Sequence, residues 1–204
     1  MDFKRVHRLS ALVVILFIFL HLINHFAVFL GVQKHIELMN VFRQTYRTYF
    51  TEILLIGAVA VQIITGFRLW QKLKKQPQNF YITLQKISGV YLLLFFLIHV
   101  SAIFTGRYFL NLDTNFYFGA AGLNTFPYNI FFIPYYFLGI LAFFIHLGVV
   151  HAKKMKVNFL MLNPKQQAQI IVALGFVVAF LLIMGLTNNF SGFEIPVEYK
   201  LGKS

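Results

Sequence analysis

Five uninterrupted apolar stretches constrain this chain more than any other feature of its sequence. They run over approximately 9–31, 50–71, 83–106, 129–151 and 167–188. Each reaches the roughly 20 residues that a helix needs to cross a hydrocarbon core. The runs are continuous and do not alternate with period two, so they predict helices and not barrel strands. The chain is 59% hydrophobic and 12% charged, with 26 phenylalanines, more apolar surface than a soluble domain of 204 residues can hide. The expectation is an all-α membrane protein, a five-transmembrane-helix up-and-down bundle forming one domain over 1–204. Lys4, Arg5 and Arg8 before the first run imitate a secretory signal. That run is too long for one and no small-x-small site follows it, so it reads as an uncleaved first span.

The formal charge of +12 raises nucleic acid as a partner, but the placement of the charge argues against it. Twelve of the 18 Lys and Arg residues fall before the first span, between the second and third, or between the fourth and fifth. The other side has Lys34, Arg43, Arg47 and Arg107, with Lys200 and Lys203 in the tail. This asymmetry predicts a cytoplasmic N-terminus and a C-terminus outside; the membrane expected is a bacterial cytoplasmic one. The basic face suits anionic membrane lipid or a docked cytoplasmic partner. No cysteine is present, which excludes thiolate-bound iron–sulfur clusters, covalently attached haem and disulfides within the chain. The loops are short and hold no room for an extramembrane catalytic domain.

An internal repeat marks the first and third spans. Arg8-Leu9-Ser10-Ala11-Leu12 leads to His21, and Lys86-Ile87-Ser88-Gly89-Val90 leads to His99. In both, histidine follows serine by 11 positions, about 16 Å of helical rise. The two imidazoles are therefore expected at one depth, on the outer side of the midplane. On the second and fourth spans, Gln62 precedes Arg68 by six residues and His146 precedes Lys153 by seven. An inner polar layer with Gln62 facing His146 is expected.

Ionisable side chains at membrane depth need a partner. A neutral imidazole bound to iron meets that need, with small residues letting a porphyrin approach the backbone. His21 and His99 are thus candidate axial ligands of a haem b. The competing reading is two packing histidines hydrogen-bonded to Ser or Thr of neighbouring helices.

The stretch from Arg8 to Ala27, with His21-Leu22-Ile23-Asn24-His25-Phe26, resembles the first span of type B succinate dehydrogenase and fumarate reductase cytochrome b subunits. Leu84-Gln85-Lys86-Ile87-Ser88-Gly89-Val90 through His99-Val100 is similar to their third span, and Tyr136-Phe137-Leu138-Gly139-Ile140 through His146 to the fourth. The second span matches more loosely, around Gly66, and the fifth only in being apolar. The resemblance implies a five-span electron-transfer subunit that exchanges electrons with menaquinone or ubiquinone. It implies a flavoprotein and an iron–sulfur subunit on the cytoplasmic face and two haems b. By position, His21 and His99 match the ligands of the outer haem, and His146 matches one ligand of the inner haem. Gln62 stands where the partner of His146 should be. The inner site is then empty, holds a five-coordinate haem, or recruits another ligand, so one haem is expected.

Other residues carry paired readings. His25 either bonds a haem propionate or quinone carbonyl, or is interfacial. His7 and His35 flank the first span and are expected to be solvated, and His151 to be interfacial. Glu52 either caps the second span or accepts a proton from quinol, a role the resemblance favours; Glu37 is the weaker alternative. Arg43, Arg47 and Arg107 reach haem propionates if the chain folds back, and are otherwise solvated. Arg8 and Lys86 mark the inner membrane edge. Trp70, Tyr46, Tyr49, Tyr108, Tyr128, Tyr135 and Tyr136 are expected as interfacial anchors. The fifth span is expected to pack outside a four-helix haem pocket. The rivals to a complex subunit are a stand-alone monohaem cytochrome b and a haem-free scaffold or transporter, though no broken helices or inverted repeats support a transporter.

Overall fold

A side chain with an oxygen acceptor opens most of the long helices, because the first backbone N–H groups of a helix have no partner within it. In the computed structural model, which describes residues 2–202, Asp2 caps α1 (Phe3–Phe26), Thr48 caps α3 (Tyr49–Lys74) and Asn79 caps α4 (Phe80–Phe104). Asn163 opens α7 (Pro164–Leu186) with a capping box completed by Gln166, and with Pro164 in the first turn. Between them lie α2 (Val32–Tyr46), α5 (Phe116–Asn124) and α6 (Asn129–Lys154). A 3-10 turn over Ala27–Leu30 prolongs α1, and a π turn over Thr105–Phe109 prolongs α4.

Five of these helical stretches are long and apolar enough to span a membrane: Phe3–Leu30, Tyr49–Lys74, Phe80–Phe109, Asn129–Lys154 and Pro164–Leu186. The chain is an all-α membrane bundle. Its neighbours follow chain order, α1 on α3, α3 on α4, α4 on α6 and α6 on α7. α7 then touches α1, so it stands in the ring and not outside it as the sequence suggested. Small residues make the close approaches, since apolar association in lipid relies on packing. A side chain at Gly148 would meet the Ala168 carbonyl at 3.1 Å, and one at Gly175 would enter the Phe144 ring.

One end of the bundle is capped, which the sequence did not anticipate. Gly31, at φ +109°, turns the chain sharply after the first span, a conformation that side-chain-bearing residues rarely adopt. α2 therefore folds back across the end of the bundle. α5 and the tail close over the same end, where Val28, Phe116, Leu123, Ile183, Ile195 and Tyr199 form the main buried core. Asn124 ties these parts together: its Nδ2 donates to the Leu186 carbonyl (2.9 Å) and its Oδ1 accepts from Phe193 N–H (3.0 Å).

Candidate functional site: a histidine-lined cavity under the cap

A cavity of about 290 Å³ lies between the spans beneath the cap. The repeat builds two of its walls. Val14, Phe17, Ile18, His21, Leu22 and His25 line it from α1; Leu92, Phe95, Phe96, His99, Val100 and Ile103, each 78 positions later, line it from α4. The two segments thus present the same face to a common space. Leu182, Ile183 and Leu186 of α7 supply a further wall, so α7 takes part in the site.

His21 and His99 face each other across this space. Their ring centroids are 6.2 Å apart and their planes differ by 69°. Each is backed by the phenylalanine one helical turn earlier: Phe17 stacks on His21 at 5.5 Å and Phe95 on His99 at 5.2 Å. Tyr136 meets His99 edge-on, and Tyr46 meets Phe17 edge-on. Both tyrosines line the cavity, and Tyr135 is buried with its hydroxyl donating to the Phe95 carbonyl. Tyr135 and Tyr136 depart from the expected interfacial role because the aromatic rings of α4 and α6 pack into one cluster, and Tyr46 because α2 folds back onto Phe17.

From His21 a chain of polar contacts leads to the cap. His25 Nε2 lies 3.1 Å from His21 Nε2, and its Nδ1 lies 3.2 Å from His35 Nε2. The same His35 nitrogen is 3.2 Å from Asn24 Nδ2. His35 is only 2% exposed, not solvated as expected, because the fold-back of α2 presses it against Phe116 and the first span. Burial, and then the nearby Arg43 guanidinium, push its imidazole down to about 4, so it is neutral at physiological pH.

The cap also brings the arginines and acids together. Arg43, Arg47, Glu52 and Arg107 all line the cavity. Arg107 pairs bidentately with Glu52, and Arg43 reaches Asp113 at 2.9 Å with Arg47 at 3.9 Å from the same oxygen. Three guanidinium groups thus meet two carboxylates at one end of an apolar chamber. Glu52 lies in the first turn of α3, but Thr48 provides the cap. Glu37 is spent on an exposed pair with Lys34.

The inner polar layer is arranged differently from expectation. Gln62 Nε2 donates to Ser10 Oγ (2.7 Å) and to the His7 carbonyl (2.6 Å). His146 Nδ1 lies 3.2 Å from Ser88 Oγ. Each therefore pairs with the repeated serine of its neighbouring span, and neither lines the cavity. His7, expected in solvent, is half-buried and bonds Thr65 Oγ1 at 2.9 Å, while His151 bonds Gln167 of α7 at 2.8 Å.

Among the described residues, no group of three or more His, Cys, Asp or Glu side chains is placed to hold a metal ion. The fold and cavity define a multi-span, all-α membrane protein with a largely apolar, histidine-lined chamber under a helical cap. Compared with models of known protein families, with curated proteins and with solved structures, the chain matches none.

Proposed function

We propose that this chain is a membrane cytochrome b that holds one haem b between His21 and His99 and exchanges electrons with a quinone. The observation that carries the reading is the 6.2 Å separation of those two rings across an apolar cavity. Two rings at that separation would leave room for one metal held by a nitrogen of each, at the roughly 2.0 Å usual for metal–imidazole bonds. Such a site needs only two protein ligands, since a porphyrin supplies the rest. No hydrogen-bond partner for the His99 ring occurs among the described residues, which leaves its nitrogens free for a metal. Holding the group through His21 Nε2 would replace that nitrogen's contact with His25.

The surroundings suit the same group. Phe17 and Phe95 hold the two imidazoles by stacking. The apolar walls would accept a macrocycle, and Arg43, Arg47 and Arg107 would turn from their present partners, Asp113 and Glu52, to its carboxylates. Haem, when bound, supplies reversible one-electron chemistry. Glu52, at the same end, is the candidate proton acceptor for quinol. The distribution of Lys and Arg supports an up-and-down bundle with the cap outside and the N-terminus in the cytoplasm, and the resemblance to succinate dehydrogenase subunits suggests a bacterial inner membrane.

A second question is whether the chain anchors a flavoprotein and an iron–sulfur subunit, as in succinate dehydrogenase and fumarate reductase, or stands alone. The engagement of Gln62 with α1 and of His146 with Ser88 favours the stand-alone cytochrome, because it supports no second haem toward the cytoplasmic face.

The test is a pyridine haemochrome assay on protein purified with any partners. The expected result is one haem b per chain, lost in His21→Ala and in His99→Ala. A chain without haem, or haem retained in both variants, overturns the reading. Co-purification of flavin and iron–sulfur subunits decides between anchor and stand-alone protein.

A further inference from the structure

The turn that joins the last two spans carries apolar side chains where polar ones are usual. α6 ends at Lys154 and α7 begins at Pro164, so the chain over 155–163 is held at both ends by membrane spans that pack on each other. Phe159 and Leu162 exchange backbone hydrogen bonds, each N–H to the other's carbonyl at 3.1 and 2.9 Å, which closes a two-residue turn on Leu160 and Met161. Both central residues have positive φ, +48° and +63°. A turn of that kind favours Asn-Gly, because other side chains crowd the backbone there. Here it displays two long apolar side chains, 76% and 98% exposed, beside exposed Val157 and Phe159. The strained backbone thus serves no packing inside the molecule.

The turn is also braced. Gln167 Nε2 donates to the carbonyls of Val157 (3.1 Å) and Leu162 (2.8 Å), and Gln167 Oε1 accepts from His151 Nε2 (2.8 Å). This ties the tip to both α6 and α7. Apolar side chains held in a fixed place outside the fold mark a contact with something beyond it. Charge indicates what that is. Lys153, Lys154, Lys156 and Lys165 flank the tip, and no Asp or Glu occurs between Asp113 and Glu194. Among the described residues, none of these four lysines enters an ion pair. Cations beside exposed apolar side chains suit an anionic leaflet: the ammonium groups meet headgroup phosphates and the apolar groups enter the boundary beneath. A span on either side already keeps the tip near that surface. We propose that the α6–α7 turn is a membrane-surface anchor, with Leu160 and Met161 inserted among the headgroups of anionic phospholipid and the flanking lysines on their phosphates. The turn lies at the opposite end of α7 from the cap, so this inference stands apart from the quinone-linked reading.

The test places a fluorescent reporter at the tip of the full chain. Met161→Trp is made together with Trp70→Phe, which removes the one native tryptophan. The protein is reconstituted into nanodiscs of phosphatidylcholine with increasing phosphatidylglycerol. Lipid brominated near the headgroup should quench the reporter as phosphatidylglycerol is added, and acrylamide in the water should lose access to it. Combining Lys154→Gln, Lys156→Gln and Lys165→Gln should raise several-fold the phosphatidylglycerol content needed for half of that quenching. Leu160→Asn with Met161→Gly gives the turn the residues it favours. That variant should melt in detergent at or above the wild-type temperature, yet retain several-fold less phosphatidylglycerol through purification. A reporter open to acrylamide and untouched by brominated lipid at every composition overturns the proposal and leaves the tip to a soluble protein partner. Lipid quenching that is the same without phosphatidylglycerol and survives the lysine changes also overturns it, since the contact is then indifferent to charge. If the reporter variant does not fold, the Leu160→Asn, Met161→Gly variant decides: reduced phosphatidylglycerol supports the anchor, and wild-type retention refutes it.

Discussion

His21 and His99 stand 6.2 Å apart, ring centre to ring centre, and each lies against a phenylalanine four residues earlier on its own helix. The same pair of residue types at the same spacing thus meets itself across the cavity. The duplication stops short of the inner layer, where Gln62 and His146 occupy corresponding places but differ in chemistry. A direct test is Gln62→His. Because the cavity does not reach this position and His146 is engaged by Ser88, the variant should still carry one haem per chain by pyridine haemochrome. A second haem in that variant would show that the inner layer opens.

The ion pair between Glu52 and Arg107 should matter more than a surface pair, since the two side chains are only 23% and 17% exposed. Glu52→Gln leaves a guanidinium at the mouth of an apolar chamber and should destabilise the protein by about 1–2 kcal/mol, between surface and fully buried values. In the double variant with Arg107→Gln, part of that loss should return. Thermal unfolding of the four proteins in detergent gives the coupling, and strictly additive effects would refute it.

Gly139 sits beneath the Phe95 ring that stacks on His99. Gly139→Leu drives a side chain into that ring, so it should cost about 1–3 kcal/mol of stability. If His99 holds haem as proposed, the change should also disturb the haem absorbance. Gly57→Leu is the control, because nothing lies within 4 Å of a side-chain carbon placed there. Equal effects of the two changes would count against the packing account.

Acid should loosen α2. His35 is held at about 4, below its ordinary 6.5, chiefly by burial. The unfolded or undocked chain therefore takes up a proton more readily than the docked one. The contribution of this neutral, buried imidazole is complete above pH 6.5 and is lost progressively as pH falls from 6.5 toward 4. Backbone hydrogen exchange over Val32–Tyr46, corrected for intrinsic rates, should show protection falling through that window. In His35→Gln the dependence should flatten, and a wild-type profile in that variant would rule His35 out as its source.

The spans and the His21–His99 pair were legible because each depends on one helix at a time: apolar length gives the span, and the spacing from Ser10 or Ser88 gives the depth. The lining of the cavity on α1 and α4 was implicit in the same repeat. His35 was not legible, because it lies among Gln33, Lys34 and Glu37 in a stretch that reads as a polar loop. Its burial follows from the turn at Gly31, and only the folded chain shows where α2 lands. The arginines were foreseen as conditional on such a fold-back, and the cap supplies the condition. For Gln62 the level was legible but not the direction, since its amide turns toward Ser10 on α1 and away from His146. The role of α7 was hidden for a similar reason: an evenly apolar helix carries no stripe to say which side faces the bundle.

The clasp made by Asn124 has a bearing on biogenesis. It joins α5 to the end of α7 and to Phe193, so the cap locks only after the last span has been inserted and the tail has returned to the surface. During translation both imidazoles reach the membrane long before Leu182, Ile183 and Leu186 complete the chamber around them. A nascent chain halted after α6 thus exposes an open cleft to lipid. The order of synthesis thus leaves sealing of that cleft to the last span, after both imidazoles are already in place.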